Sequence, residues 1–398
     1  MILKFQKDLF LNMLSIFLSL AFLQLYLYPE FSKDLPKSEF GIFLSLIGFI
    51  NFFSVVTGGS LGSVRLLKRE YYDKQNYADY KLLYIYTLTA SLIFCLGSLF
   101  SFNINLSFTE LIFMLLLNIA ITSRSFFLVY LRLSLDYKNI LLNSLFNVIS
   151  IAILSLLVSI NLNTVLISLF VGELIGLTVF LKNTEMRSEI YLSKLTSPHY
   201  HSTKINYFLL VLTNAFNNIT NYVDKFVLLP LIGAGAVTSY YVSSFAAKII
   251  LAGIAPITSV ILTYLTLKTD THRRKFVNLY IVISLIISLI SYILIYFISD
   301  YLIFKLYSKY YNEVVNSLVL VNTGIVLTIF SSLLQPLIMK NCNLNFYSKV
   351  QIALGVFFVL SCFTGTWIFG LNGFYWSLIS SNFIKALVFL FLLLFKSK

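Results

Sequence analysis

The chain is short of charge, cysteine and histidine. Only 11% of its 398 residues are Asp, Glu, Lys or Arg, where soluble globular domains carry roughly a quarter. That shortage excludes an ordinary water-soluble fold. The three cysteines, Cys95, Cys342 and Cys362, follow no spacing pattern, which excludes a disulfide framework and a thiolate metal site. The three histidines, His199, His201 and His272, fall in loops. His199-Tyr200-His201 has no Cys, His or acidic partner nearby, so it reads as a solvated loop, and no metal, cofactor or catalytic residue is expected. The Gly58-Gly59-Ser60-Leu61-Gly62 run lacks the Lys-Ser/Thr of a nucleotide loop. It suits close helix packing, and no ATPase is expected.

Acidic residues are the scarcer charge, 16 against 29 basic, for a net +13. The basic residues are not gathered on a soluble patch, which excludes nucleic acid as a partner. They sit in short loops between long apolar runs, a pattern that reports orientation and contact with anionic membrane lipids.

Apolar residues make up 59% of the chain. A spanning helix needs roughly 20 mostly apolar residues. Twelve runs qualify: 9–28, 41–64, 82–101, 109–131, 140–160, 163–181, 206–230, 236–267, 277–298, 314–337, 347–369 and 373–395. The first is too long for a signal-peptide core and lacks a small-residue cleavage site, so it reads as a retained span ending at Tyr28-Pro29. The expected fold is all-α and integral to the membrane, with about twelve transmembrane helices. With a cytoplasmic N-terminus, 21 cations fall in cytoplasmic segments, four (Lys33, Lys37, Lys305, Lys309) in external ones and four inside spans. This positive-inside bias predicts cytoplasmic N- and C-termini in a bacterial inner membrane.

Loops are too short for a soluble catalytic domain. The longest, 182–205, is also the most polar stretch. It divides the chain into an N-terminal six-helix half (1–181), a cytoplasmic linker (182–205) and a C-terminal six-helix half (206–398). The first span of each half runs to an outer proline, Pro29 or Pro230. Two such halves around a central cavity are a plan used by alternating-access transporters.

Polar side chains recur at helical spacing inside the spans. The seventh carries Asn214, Asn217/Asn218, Asn221 and Asp224/Lys225 on one face; the eighth, Tyr241, Ser244 and Lys248; the twelfth, Ser377, Ser381 and Lys385. The first (Asn12, Ser15, Ser19), fourth (Asn118, Thr122, Ser125) and fifth (Asn143, Asn147, Ser150) carry uncharged stripes. Such stripes serve equally as interhelical bonds, each worth about 0.6 kcal/mol, or as cavity lining. Charge is different, because a Lys or Arg at a helix centre costs roughly 2.5–3.5 kcal/mol. At 1.5 Å per residue, Lys248 lies about 18 Å from the outer end of its span and Glu173 about 15 Å into the sixth. Lys385 is comparably deep. Arg124, about 10 Å from the inner end, is close enough to snorkel. Asp224 and Lys225 lie near the outer end of the seventh span and can be read as interfacial. Glu173 suits ion coupling or a structural pair with one of the cations. The membrane interior thus holds Arg124, Lys225, Lys248 and Lys385 against Glu173 and Asp224, and a net positive interior favours an anionic substrate.

The segment Asn217-Asn218-Ile219-Thr220-Asn221-Tyr222-Val223-Asp224-Lys225, followed by Leu231-Ile232-Gly233-Ala234-Gly235-Ala236-Val237-Thr238-Ser239-Tyr240-Tyr241, carries a family resemblance. It has an acidic residue late in the seventh span, a Gly-bearing turn and an aromatic opening to the eighth. In this, and in its span plan, the chain resembles the Wzx-type O-antigen repeat-unit flippases of the multidrug/oligosaccharidyl-lipid/polysaccharide exporter superfamily. The resemblance implies an oligosaccharide on undecaprenyl pyrophosphate as substrate and polysaccharide polymerase machinery as a partner. Arg124, Lys248, Lys385, Lys225, Asn214, Asn218 and Asn221 would contact that substrate, with Glu173 or Asp224 coupling an ion. A multidrug or toxin exporter of the same superfamily is the nearest alternative. An O-antigen polymerase, an enzyme, is the alternative of another class, although the external loops hold none of the arginine such proteins use. A peptidoglycan-precursor flippase would need fourteen spans.

Overall fold

The computed structural model describes residues 2–68, 77–157, 160–192, 196–267, 274–342 and 344–395. Arg69, Lys74, Lys194, Lys268, His272, Arg273, Lys396 and Lys398 lie outside them. Among the described residues there is no strand, and twelve long helices follow one another. They are α1 (Ile2–Ala21, a π-helical stretch Phe22–Leu27 and Tyr28–Asp34), α2 (Lys37–Leu67), α3 (Asp79–Ser101), α4 (Phe108–Leu133), α5 (Tyr137–Leu157), α6 (Leu162–Lys182), α7 (Tyr200–Leu231), α8 (Ala234–Leu267), α9 (Arg274–Leu306), α10 (Leu318–Asn341), α11 (344–369) and α12 (371–395).

Among the described residues, ten helical segments suffice by length and hydropathy to cross a membrane. Two features separate that number from twelve. The α11 and α12 helices follow without a loop, parted only at Gly370, whose φ of 61° and ψ of −144° reverse the chain. That conformation is open to glycine and costly to residues with a Cβ. The α7 helix is long enough but too polar to qualify, because of its Asn, Asp and Lys residues. Boundaries also move. The first helix passes through Tyr28-Pro29 to Asp34, instead of ending there as predicted. Pro29 sits in the opening turn of the segment after the π-helical stretch, where its missing N–H matters least.

The α9 helix is inside-out relative to a helix of a soluble protein. In α9 the buried residues are Val277, Ser284, Ser288, Ser291, Ile295, Ser299 and Ile303, at steps of seven, four and three. Leu279, Leu285, Leu289 and Phe297 point outward. Serines facing in and large apolar groups facing out are stable only where the surroundings are hydrocarbon. The protein is a multi-pass membrane protein.

The chain forms two compact units, Met1–Tyr222 and Val223–Lys398. In the first, α2 is enclosed, with Phe40, Phe43, Leu46, Phe49 and Ile50 fully buried. The glycine run in α2 permits this. A Cβ at Gly58 would lie 2.7 Å from the Thr122 carbonyl of α4, and one at Gly62 would lie 3.5 Å from Val129 Cβ. Uncharged stripes join helices in this unit. Ser15 meets Ser144 at 2.6 Å, Ser91 donates to Asn118 Oδ1 at 2.9 Å, and Asn143 Nδ2 donates to the Gly176 carbonyl at 2.7 Å. In the second unit one apolar cluster joins α9, α10 and α12, through Val277, Leu334, Leu337, Ile338, Phe389 and Leu393.

Candidate functional site

In the second unit, α7 turns Val223, Val227 and Leu228 inward together with Asp224. Asp224 is 1% exposed and Lys225 7%, so both are enclosed by protein. Asp224 Oδ2 accepts from Lys225 Nζ and from Lys248 Nζ of α8, the latter at 3.5 Å. Neighbours on a helix point about 100° apart, so Lys225 reaches Asp224 only by bending its flexible stem. The Lys248 ammonium also sits 4.5 Å from the centre of the Tyr240 ring. That ring is held edge-to-face by Phe374 at 5.1 Å and stacked by Tyr375 at 6.3 Å. The result is two ammoniums, one carboxylate and an aromatic wall in a low-dielectric interior.

Lys385 stands apart from this group. It is half-buried in α12, 5.7 Å from the ring of Phe389 one turn on, and among the described residues it has no ion-pair partner. Ser381, one turn before it, is buried with an unbonded hydroxyl.

In the first unit Arg124 Nε lies 3.1 Å from Glu173 Oε2, across α4 and α6. Glu173 thus has a cation beside it, the arrangement of a structural pair. Asn214 Nδ2 donates to Ser60 Oγ of α2 at 2.8 Å, Asn218 Nδ2 donates to the Asn214 carbonyl at 2.9 Å, and Asn221 is exposed. The structure brings together Asp224, Lys225 and Lys248 in the second unit, and in the first unit Arg124 with Glu173 and, separately, Asn214 with Asn218; Lys385 and Asn221 join none of these.

Sequence reasoning missed a third polar cluster, which fastens the linker to the first unit. Glu189, in a helical turn at Ser188–Leu192, meets Arg65 of α2 at 3.1 Å, and both side chains are buried. Burial pushes the Glu189 carboxyl above the ordinary range, and the Arg65 guanidinium opposes that rise. Arg65 also lies 5.5 Å from the Tyr80 ring. Ser197 donates through its backbone N–H (2.8 Å) and its hydroxyl to Asp79, and Lys68 donates to Ser202 and Thr203 at 2.9 and 3.1 Å. These partners are 118 to 135 residues apart in sequence, so no local spacing announces them. The one signal in the sequence was the concentration of polar residues in 182–205.

No protein-family model matches the chain, and no curated sequence relative does. Solved structures do match. The inward-facing conformation of a multidrug resistance MATE family transporter of the MOP superfamily superposes with a TM-score of 0.68 at 15% identity, over 96% of this chain and 96% of that one. A MATE crystal structure in the straight conformation gives 0.65 at 15%, over 98% and 94%. The outward-facing conformation of a multidrug resistance MATE family transporter gives 0.62 at 16%, over 97% and 94%. At such identity the likeness establishes the fold. Nothing in it singles out the flippases.

Proposed function

We propose that the protein is a membrane transporter that works by alternating access and carries an anionic amphiphile. One observation carries the choice of charge. Within the spans of the second unit, Lys225 and Lys248 share one carboxylate, Asp224, and Lys385 has no ion-pair partner among the described residues. Buried cations without counter-ions are costly, and an anionic ligand supplies what is missing. A lipid-linked oligosaccharide fits: its pyrophosphate meets the ammoniums, its sugars stack on rings such as Tyr240, and its chain stays in the bilayer. On this reading the membrane is the bacterial inner membrane and both termini are cytoplasmic.

Multidrug export is the second reading. The solved structures that share the fold favour it over lipid-linked flipping, since they include multidrug resistance transporters. The two readings part on charge. In cells lacking their own flippase, the chain should restore surface polysaccharide, and Lys248→Ala and Lys385→Ala should each reduce it. Intact polysaccharide in both variants would remove the anionic reading. Energy-dependent efflux of cationic dyes, with no restoration of polysaccharide, would establish the exporter.

A further inference from the structure

The group around Asp224 contains its own substitute for a ligand anion. Both lysines address the same oxygen, Oδ2. The two contacts differ. Lys225 is held close, with a side chain 9% exposed, whereas Lys248 stands 3.5 Å away with 22% of its side chain exposed, against 2% for Asp224. Charge counting leaves one positive charge over: two ammoniums against one carboxylate. The exposed part of the group is thus cationic, and its anion lies beneath.

We infer that Asp224 is an internal counter-ion that a phosphate or pyrophosphate group displaces from Lys248 on binding, so that the carboxylate weakens ligand affinity and thereby speeds release. A buried ammonium needs an anion whether or not ligand is present. With the site empty Asp224 serves both lysines. With ligand bound, Lys248 turns to the incoming phosphate and Lys225 keeps Asp224. The carboxylate and the ligand compete for one cation, so their coupling is unfavourable and reciprocal. Tyr240 supports the exchange, since its ring face holds the ammonium in either state. Asp224 is accordingly a tuning residue that the ligand does not touch. The inference rests on the anionic-substrate reading.

The test uses the full chain in lipid nanodiscs, with dodecyl phosphate as the anionic probe and tetraphenylphosphonium as the cationic one, and reads dissociation constants by calorimetry. Asp224→Asn should bind dodecyl phosphate about tenfold more tightly than the unsubstituted protein and release it more slowly. Lys248→Met should bind it more weakly. Because Asp224→Asn leaves two buried lysines without a carboxylate, the double variant Asp224→Asn/Lys225→Met, which restores the net charge of the group, is measured beside it. It should bind no more weakly than the unsubstituted protein. Unchanged or weaker binding in Asp224→Asn, or loss of binding in the double variant, would overturn the counter-ion role while leaving an anionic substrate standing. Binding of the phosphonium alone, abolished by Asp224→Asn, would overturn both.

Discussion

Single residues set how closely the helices approach. Gly58 has no room for a side chain, because the nearest obstacle is the Thr122 backbone carbonyl at 2.7 Å, which cannot rotate away. A Cβ added at Gly97, on the outer face of α3, would meet nothing within 4 Å. Gly58→Ala should therefore cost about 1–3 kcal/mol through overpacking, while Gly97→Ala should cost nothing. Thermal unfolding of the two variants in detergent checks this, and equal melting temperatures would refute the packing role of the glycine run. At this scale the sequence spoke clearly about which residues are charged and where each falls along its helix. It was silent about partners. The depth of Lys248 follows from counting along one helix, whereas its contact with Asp224 depends on how α7 and α8 pack.

Among elements, the linker is the one whose character changes most between sequence and structure. Its composition suggests a polar loop, yet Thr184–Leu192 is helical and α7 already begins at Tyr200. The Arg65–Glu189 pair explains how so polar a segment lies against an apolar bundle. Truncating one partner of a buried pair leaves the other without a counter-ion, at about 3–5 kcal/mol. Glu189→Ala should thus loosen the segment, and trypsin should cut at Arg187 or Lys194 faster than in the unsubstituted protein. Equal cleavage rates would show that the pair does not hold the linker. Periodicity revealed the apolar helices because hydrocarbon demands a long run of one kind of residue. It revealed neither the π-helical stretches of α1 (Phe22–Leu27) and α2 (Val55–Gly59) nor the linker contacts, since these depend on backbone detail and on residues more than a hundred positions away.

For the whole molecule, the orientation of the spans is the property that loop charge predicts most directly. An alkaline-phosphatase fusion should be active at 370–372 and inactive in 182–205, and a cytoplasmic reporter should give the reverse pattern. Phosphatase activity in 182–205 would invert the topology. The number of helices was legible from composition even where hydropathy fails, because the polar α7 still occupies its place in the alternation of loop charges. What composition does not disclose is a ligand. A fold shared at 15% identity constrains the frame alone.

The hairpin at Gly370 has one more consequence. The chain has only two tryptophans, Trp367 and Trp376, and both stand on the outer surface of this one hairpin, 74% and 60% exposed. Every photon of tryptophan emission therefore originates within a few residues of a single bend. Intrinsic fluorescence quenched by brominated lipids becomes a depth gauge for the tip of α11–α12, with no label and no substitution, and it stays blind to the rest of the protein.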